Sequence, residues 1–184
     1  MSIDNAQDVK LNIKPLTIGL VHEYVFEGPC RFGRGEELTA EFDEARTAQI
    51  AGDWNEQLVN NLGKFGFVNV MDPYVSKRDE TFPLTDEILD EACADAEEVD
   101  LYAVTYYPFG IDLALQVAKR TKKPIACLLT GSATGTATIA TLSAHGCECY
   151  GWTNWQEAET DVRALLARKV MGSLRVLALV RNNS

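Results

Sequence analysis

The segment from His22 to Glu36 carries the densest set of residue types that can bind a ligand. It contains one of the two histidines of the chain, together with two arginines, three glycines and two phenylalanines. It directly follows an apolar run, and long segments of this kind in compact domains often form binding sites. We therefore take His22, Glu23 and Tyr24 as candidate substrate-binding residues. The alternative is a surface loop in which His22 caps a helix.

An aromatic cluster follows another apolar run. Tyr106, Tyr107 and Phe109 lie within Tyr106-Tyr-Pro-Phe-Gly110, directly after residues 101–105. Aromatic rings at the end of a strand can stack on the apolar face of a sugar, or they can cover the end of the sheet. The three aromatic residues are further candidates for substrate binding, and both roles remain open.

Residues 130–138 are rich in threonine, serine and glycine and follow a third apolar run. At the start of a helix, hydroxyl groups and free backbone N–H groups can hold a phosphate or a carboxylate, and Thr130 and Ser132 are the first candidates. Plain capping of the helix is the alternative. A Walker A loop is excluded because no lysine follows the second glycine, and Leu38 breaks the dinucleotide pattern that Gly33 and Gly35 would begin.

The sequence indicates no metal ligands and no complete catalytic group. Neither His22 nor His145 has the spacing of a metal site, and Ser132 lacks the Gly-x-Ser-x-Gly surroundings of a hydrolase nucleophile. Cys147 and Cys149 form a Cys-x-Cys pair, but alternate residues of a short strand share one face, where small thiols pack well. We therefore predict core cysteines, no metal site in this chain and no assigned catalytic residue.

Short apolar runs alternate with helix-like segments along the chain. This alternation predicts right-handed crossovers and an open doubly wound, mainly parallel sheet with flavodoxin-like strand order and helices on both faces. The sheet has five strands, or six if the last apolar run joins it. The predicted strands are 16–21, 67–71, 101–105, 125–129 and 147–150, with 174–180 as the sixth. The predicted helices are about 37–62, 85–96, 111–120, 134–145 and 154–169.

Capping and apolar spacing orient the predicted helices. Thr85 is expected to cap the second helix, and Thr153-Asn-Trp-Gln156 is expected to form a capping box at the start of the last one. In the first helix, apolar residues recur at steps of three and four and should face the core. The apolar residues expected to face the core are Leu38, Phe42, Ala45, Ala51, Trp54, Leu58 and Leu62.

Length and composition favour one soluble domain. The chain has 184 residues, of which 46% are hydrophobic and 24% charged, and a domain of this size can fold around one core without disulfides or metal. We assign 1–14 to a polar N-terminal extension and 15–184 to one α/β domain. The segment 174–184 either joins the sheet or begins a following domain. No signal peptide or membrane span is evident, so we expect a cytoplasmic protein.

Charge divides the chain unevenly. The net charge is −10, with −14 in residues 23–100 and +4 in residues 101–184. Such an acidic balance argues against nucleic acid or an anionic membrane as the main partner. The acidic half is expected to be a solvated outer surface, and the alternative is a surface that faces a positive partner.

The order of these features resembles the N-terminal domain of the L-fucose/L-arabinose isomerase family, in its broader sugar-isomerase-like branch. The resemblance covers most of the chain from about Leu16, in short motifs. The pieces that carry it are Ile18–Val21, Val104–Phe109, Lys122–Ala126, His145–Gly146, Tyr150–Gly151, Asn154–Lys169 and Leu174–Leu179.

Members of that family are oligomeric, multidomain enzymes that interconvert aldoses and ketoses with a divalent cation, usually Mn²⁺. The resemblance implies a doubly wound domain that helps to form the sugar pocket, with the metal ligands in later domains. It also implies that the segments 22–28 and 106–109 contact a small-molecule sugar, and that the full enzyme is a homo-oligomer. No residue here matches a catalytic residue of the family, so none inherits that role.

Two functional hypotheses follow. The first is the N-terminal domain of a metal-dependent aldose–ketose isomerase, which contributes substrate-binding loops and oligomer contacts and is inactive as an isolated chain. The alternative is a freestanding flavodoxin-like module that binds a sugar or an anion. A flavin-binding electron carrier is a third interpretation of the same fold.

Overall fold

A parallel sheet and five helices make up the computed structural model, which describes residues 8–20, 39–78, 84–107, 111–129 and 133–173. The strands are β1 (Leu11–Leu20), β2 (Val68–Val70), β3 (Tyr74–Arg78), β4 (Leu101–Tyr107), β5 (Ile125–Leu128) and β6 (Cys149–Trp152). The helices are α1 (Ala40–Leu58), α2 (Asp86–Ala92), α3 (Ile111–Thr121), α4 (Ala133–Ala144) and α5 (Trp155–Ser173), and a π-helical turn (Val59–Gly63) extends α1. The predicted strand at 174–180 lies outside the described residues.

The strand order confirms the predicted fold class. The sheet runs β2-β1-β4-β5-β6, and β3 also pairs with β1. Every ladder between described strands is parallel. Because β2 pairs with residues 11–13 and β3 with residues 16–20, these two strands together form one interrupted edge strand. Counted in this way, the order is the flavodoxin-like 2-1-3-4-5.

Two apolar layers cover the sheet. One lies under α1 and α5, and the other lies under α2, α3 and α4, as expected when right-handed crossovers place helices on both faces. None of the described helices combines the length and the hydropathy that crossing a bilayer requires. The first layer includes Leu11, Ile13, Trp54, Leu58, Ala158 and Val162. The second includes Leu16, Ile18, Ala92, Leu113, Val117 and Leu142.

The first strand begins at Leu11, earlier than predicted. Residues 11–14, which the sequence assigned to a polar extension, therefore belong to the sheet. The reason is alternation: Leu11 and Ile13 are buried, while Lys14 on the opposite face pairs with Asp95. Because apolar and polar residues alternate in this part of β1, the sequence shows no continuous apolar run there.

The strand β3 was not predicted. Asp72 and Pro73 interrupt the edge strand after β2, and the chain then returns to β1 as residues 74–78. Pro15 on β1 lies between the two ladders, since the β2 ladder ends at Ile13 and the β3 ladder begins at the next residue after Pro15. Because proline has no N–H to donate, it is tolerated in a strand where a ladder is interrupted.

Helix capping agrees with the sequence in one case and corrects it in the other. The Thr85 side chain accepts a hydrogen bond from the Ile88 N–H at 3.3 Å, as predicted for α2. At α5 the predicted capping box is displaced by one residue. The Asn154 Oδ1 accepts hydrogen bonds from the N–H groups of residues 156 and 157, and the Glu157 carboxylate accepts one from the Thr153 N–H at 2.8 Å.

Candidate functional site

Two of the predicted site residues lie in the described part of the chain, and both are at the carboxyl edge of the sheet. Tyr106 and Tyr107 are the last two residues of β4, and Tyr107 is described in its backbone alone. The structure thus describes two of the eight predicted site residues. The predicted residues outside the described ranges are His22, Glu23, Tyr24, Phe109, Thr130 and Ser132.

The Tyr106 side chain lies on the α4 side of the sheet. Its hydroxyl is 3.7 Å from the Cys127 Sγ on β5 and interacts with the Thr138 hydroxyl on α4. Its ring packs against the core of that layer. Burial, and then the nearby Cys127 thiol, raise the pKa of Tyr106, so this hydroxyl stays protonated and neutral.

On the other face of the sheet, the buried surface changes from apolar to polar along the strands. In β1 and β4, Leu11 and Leu101 face the α1 layer near the amino ends and are fully buried. Towards the carboxyl ends the same face carries Thr17 and Thr105, which are register partners in the β1–β4 ladder. This is the point where the chain order reverses between adjacent strands, and ligands of open α/β sheets bind there.

Helix α1 follows the same division. Its buried residues are Asp43, Thr47, Ala51, Trp54 and Leu58. The buried residues in the first two turns are therefore polar and lie near the carboxyl end of β1, while the buried residues in the later turns are apolar. From the apolar spacing, Phe42 and Ala45 were expected to face inwards in the first turns. This was wrong for Ala45, which is exposed, while Phe42 is half-buried.

The N-terminal part of α1 approaches β1 unusually closely. A Cβ atom at Gly19 would overlap the Thr47 side chain, so only glycine leaves room for this contact. A groove of about 390 Å³ opens beside it between α1 and β3, and Thr47 and Val75 form part of its wall. The close approach therefore places a threonine hydroxyl between the sheet and an open groove.

Three hydroxyl groups at this edge are buried. The side chains of Thr17, Thr47 and Ser76 are 0%, 1% and 0% exposed, respectively, and their oxygen atoms have no partner in the part of the chain that the structure describes. Thr17 and Thr47 lie on the α1 face, and Ser76 lies on β3. Buried polar atoms are almost always satisfied, so an ordered water or a ligand at this edge would complete their hydrogen bonds.

The amino edge of the same sheet is held by ion pairs, and two of its buried oxygen atoms, Asp95 Oδ1 and the Tyr102 hydroxyl, also have no hydrogen-bond partner within the described ranges. The Asp100 carboxylate accepts from the backbone N–H of Asn12 at 2.7 Å and from Lys169 Nζ at 2.5 Å, and Lys14 pairs with Asp95. These contacts cross large distances in sequence and tie α5 and the α2 region to β1. The carboxyl edge differs in that two of its unsatisfied groups, Thr17 and Thr47, lie on one face beside the reversal point of the strand order.

The described cysteines behave as core residues. Cys147 and Cys149 are half-buried against the α2–α4 layer, and the Cys149 thiol donates to the Ile139 carbonyl at 3.6 Å. Burial raises the pKa of the Cys127 thiol to about 12 and raises that of Cys149 as well. Within the described ranges, no group of three or more His, Cys, Asp or Glu side chains is placed to hold a metal ion.

Tyrosine burial predicts a loss of stability at alkaline pH. Burial, followed by the neighbouring Glu91 and Glu148 respectively, raises the pKa of Tyr74 and of Tyr150 to about 12, whereas an unfolded tyrosine titrates near 10. Between about pH 10 and pH 12 the unfolded chain therefore binds fewer protons than the native one. In that interval each such tyrosine lowers the free energy of unfolding as the pH rises, and the loss is modest because both side chains are partly exposed and water screens their charge.

Urea unfolding between pH 8 and pH 11.5 measures this loss, and tyrosinate absorbance at 295 nm follows the titration. We expect a constant midpoint below pH 9 and a falling midpoint above pH 10. The Tyr74→Phe variant should show a shallower fall. Native titration of all the tyrosines near pH 10 would contradict the prediction.

Comparison of the chain with protein-family models, with curated protein sequences and with solved structures found no match in any of the three.

Proposed function

We propose that this chain binds a sugar at the carboxyl edge of its sheet, as the N-terminal substrate-binding domain of a metal-dependent aldose–ketose isomerase of the fucose/arabinose type. The observation that carries the proposal is a pair of buried hydroxyls, Thr17 and Thr47, that have no partner among the described residues and lie beside the reversal point of the strand order. The resemblance of the sequence to that isomerase family supports the choice of ligand.

The chemistry of this edge fits a neutral ligand with several hydroxyl groups. A threonine hydroxyl both donates and accepts a hydrogen bond, and so does each hydroxyl of a sugar. Thr17 and Thr105 lie side by side on β1 and β4, and Thr47 reaches the same face from α1. A hydrogen bond from the ligand to a buried, unsatisfied hydroxyl contributes more binding free energy than one to a hydroxyl that water already satisfies. The reason is that an unsatisfied buried group is unfavourable before the ligand binds.

The role of this chain in the reaction is binding and orientation. Aldose–ketose isomerisation needs a proton transfer next to a carbonyl group, with the developing charge stabilised by a Lewis acid. In the family the metal ligands lie in later domains, so a metal site is expected outside this chain. The residues at the carboxyl edge would hold the sugar hydroxyls and fix the position of the reacting carbons relative to that metal.

Replacing the unsatisfied hydroxyls by methyl groups should separate stability from binding. In Thr17→Val and Thr47→Val the buried oxygen is removed and the shape is kept. We expect the free energy of unfolding to rise by about 1 kcal/mol, because an unsatisfied buried group is lost. We expect the affinity for L-fucose or L-arabinose to fall at least about tenfold, since one hydrogen bond to the ligand is lost.

Urea unfolding and titration calorimetry measure the two effects. The matched control is Thr160→Val, since Thr160 is exposed on α5 and its hydroxyl donates to the Gln156 carbonyl at 3.0 Å. The control should leave sugar affinity unchanged. Lower stability of both valine variants, or indifference of the wild-type chain to both sugars, would overturn the proposal.

The freestanding binding module remains as the alternative, and activity separates it from the isomerase domain. The isolated chain with Mn²⁺ and either sugar should show negligible turnover, while a chain that includes the metal-binding domains should be active. Rapid turnover by the isolated chain would contradict both hypotheses. If sugar binding is instead weakened by Ser132→Ala and Thr134→Ala but not by Thr17→Val, the module hypothesis with its site before α4 is favoured.

A further inference from the structure

The amino edge of the sheet contains a second cavity, of about 200 Å³, between the α3–β5 connection and α5. Four basic side chains line it, from Lys122, Lys123, Arg168 and Lys169, against the one lining carboxylate of Asp100. The whole chain carries a net charge of −10. A concave surface with this excess of positive charge concentrates anions, because the field is focused in a cleft with low-dielectric walls.

Two of these cations are fixed in place by partners. Lys169 donates to the Asp100 carboxylate at 2.5 Å and to the Lys10 carbonyl at 2.9 Å. The Arg168 guanidinium donates to both carboxylate oxygens of Glu148, at 2.7 and 2.9 Å. Both side chains are therefore held at the wall of the cavity before any ligand arrives, which lowers the entropy lost on binding.

The other two cations, Lys122 and Lys123, differ from Arg168 and Lys169 in this respect. The side chains of Lys122 and Lys123 form no ion pair or hydrogen bond with any residue in the described ranges. These two lysines are therefore available to close around a negatively charged group.

The backbone at Lys122 supports a role for its side chain. Its φ of +57° is in the left-handed region, and its N–H donates to the Ala118 carbonyl at 3.0 Å, closing the last turn of α3. Glycine is the usual residue at this position after a helix, because it adopts a left-handed conformation without strain. The fold is less stable with lysine than with glycine at this position. Binding of an anion in the adjoining cavity would give the lysine side chain a function.

We propose that this cavity binds a compact anion, namely phosphate or the phosphate group of a small ester. Lys122 and Lys123 contact the phosphate oxygens, and Arg168 and Lys169 supply the surrounding positive field. Leu11, Pro124 and Leu165 form the apolar part of the wall, where the organic part of an ester would pack. The site lies at the opposite edge of the sheet from Thr17 and Thr47 and does not depend on the proposed sugar binding.

Calorimetry with inorganic phosphate at constant ionic strength tests the site. We expect saturable binding to the full chain, weakened about tenfold in Lys122→Gly and in Lys123→Gln, because each loses a charge-assisted contact. Lys119→Gln is the matched control: Lys119 lies in the last turn of the same helix and does not line the cavity. Its phosphate affinity should equal that of the wild type.

The Lys122→Gly variant also carries an internal check on folding. Relief of the left-handed strain should raise its melting temperature without ligand by roughly 1–4 °C, while its phosphate affinity falls. Phenyl phosphate distinguishes the two sources of the anion. Tighter binding than inorganic phosphate indicates an ester, and equal binding indicates free phosphate.

Several outcomes would overturn the proposal. One is a heat signal that does not saturate, or that is abolished by adding chloride at the same ionic strength. Another is an equal loss of affinity in the Lys119→Gln control, which would indicate a general effect of charge. Thr17→Val should leave phosphate affinity unchanged, so a failure of the sugar site and a failure of the phosphate site give different results.

Discussion

Replacing Trp54 by alanine should lower the free energy of unfolding by about 3–5 kcal/mol, the range for a large aromatic residue removed from a core. Trp54 is 4% exposed, and its indole N–H donates to the Ala103 carbonyl on β4 at 2.9 Å. Its ring centroid lies 5.9 Å from that of Trp155 on α5. One side chain thus joins α1, the central strand β4 and α5, and its loss leaves a cavity at their junction.

Urea unfolding followed by far-UV circular dichroism measures the change. If Trp54→Ala does not fold, Trp54→Phe still gives a value, because phenylalanine keeps most of the apolar volume. We expect it to be less stable than the wild type by about 1–2 kcal/mol, since the hydrogen bond to Ala103 is lost. A loss below 1 kcal/mol in Trp54→Ala would show that α1 and α5 do not depend on this contact.

The variant Gly19→Ala should be destabilised by about 1–3 kcal/mol, as expected for overpacking in a well-packed core. Glycine to alanine in a strand is otherwise favourable, because it reduces the entropy of the unfolded chain. Here the added methyl group would overlap the Thr47 side chain. Either α1 moves away from β1 or the Thr47 side chain leaves its position, and both changes disturb the candidate site.

The double variant Gly19→Ala/Thr47→Ala tests whether this overlap is the cause. Shortening Thr47 removes the two atoms nearest to the new methyl group and leaves its Cβ at 3.0 Å, so the rescue should be partial. Unfolding free energies of the four proteins form a double-mutant cycle, and we expect a coupling of about 1 kcal/mol or more. If Gly19→Ala has the same effect in both backgrounds, the close approach does not limit this position.

The sequence predicted the central part of the fold well, because strands buried on both faces appear as continuous apolar runs. β4 and β5 lie where such runs predicted them. The edge strand was harder. Tyr74 faces α2, where its hydroxyl donates to the Ile88 carbonyl, and Lys77 and Arg78 end the strand without an apolar pattern. An edge strand pairs with a neighbour on one side only and needs few apolar side chains, so the sequence of β3 shows no apolar run that would predict a strand.

The sequence pointed to the carboxyl edge as the place of a site, but not to the two residues that the structure puts forward there. The strand-to-helix connections directed attention to the carboxyl edge, and Tyr106 does lie there. Thr17 and Thr47 were not singled out, because a threonine in an apolar run or on a helix is also an ordinary packing residue. Only the missing hydrogen-bond partners distinguish them, and partners depend on the three-dimensional arrangement. The burial of Asp43 in the first turn of α1 likewise appears only in the structure.

The interruption at Asp72 and Pro73 also limits how this protein can associate with other chains. The outer edge of a sheet presents unpaired backbone groups and can recruit a strand from another molecule, which is a route to aggregation. Here that edge is divided into pieces of three and five residues. Pro73 has no N–H to donate to an incoming strand. The second piece ends in Lys77 and Arg78, so such a strand could form only a short ladder before it reached two positively charged residues. This broken edge is therefore a poor template for strand addition.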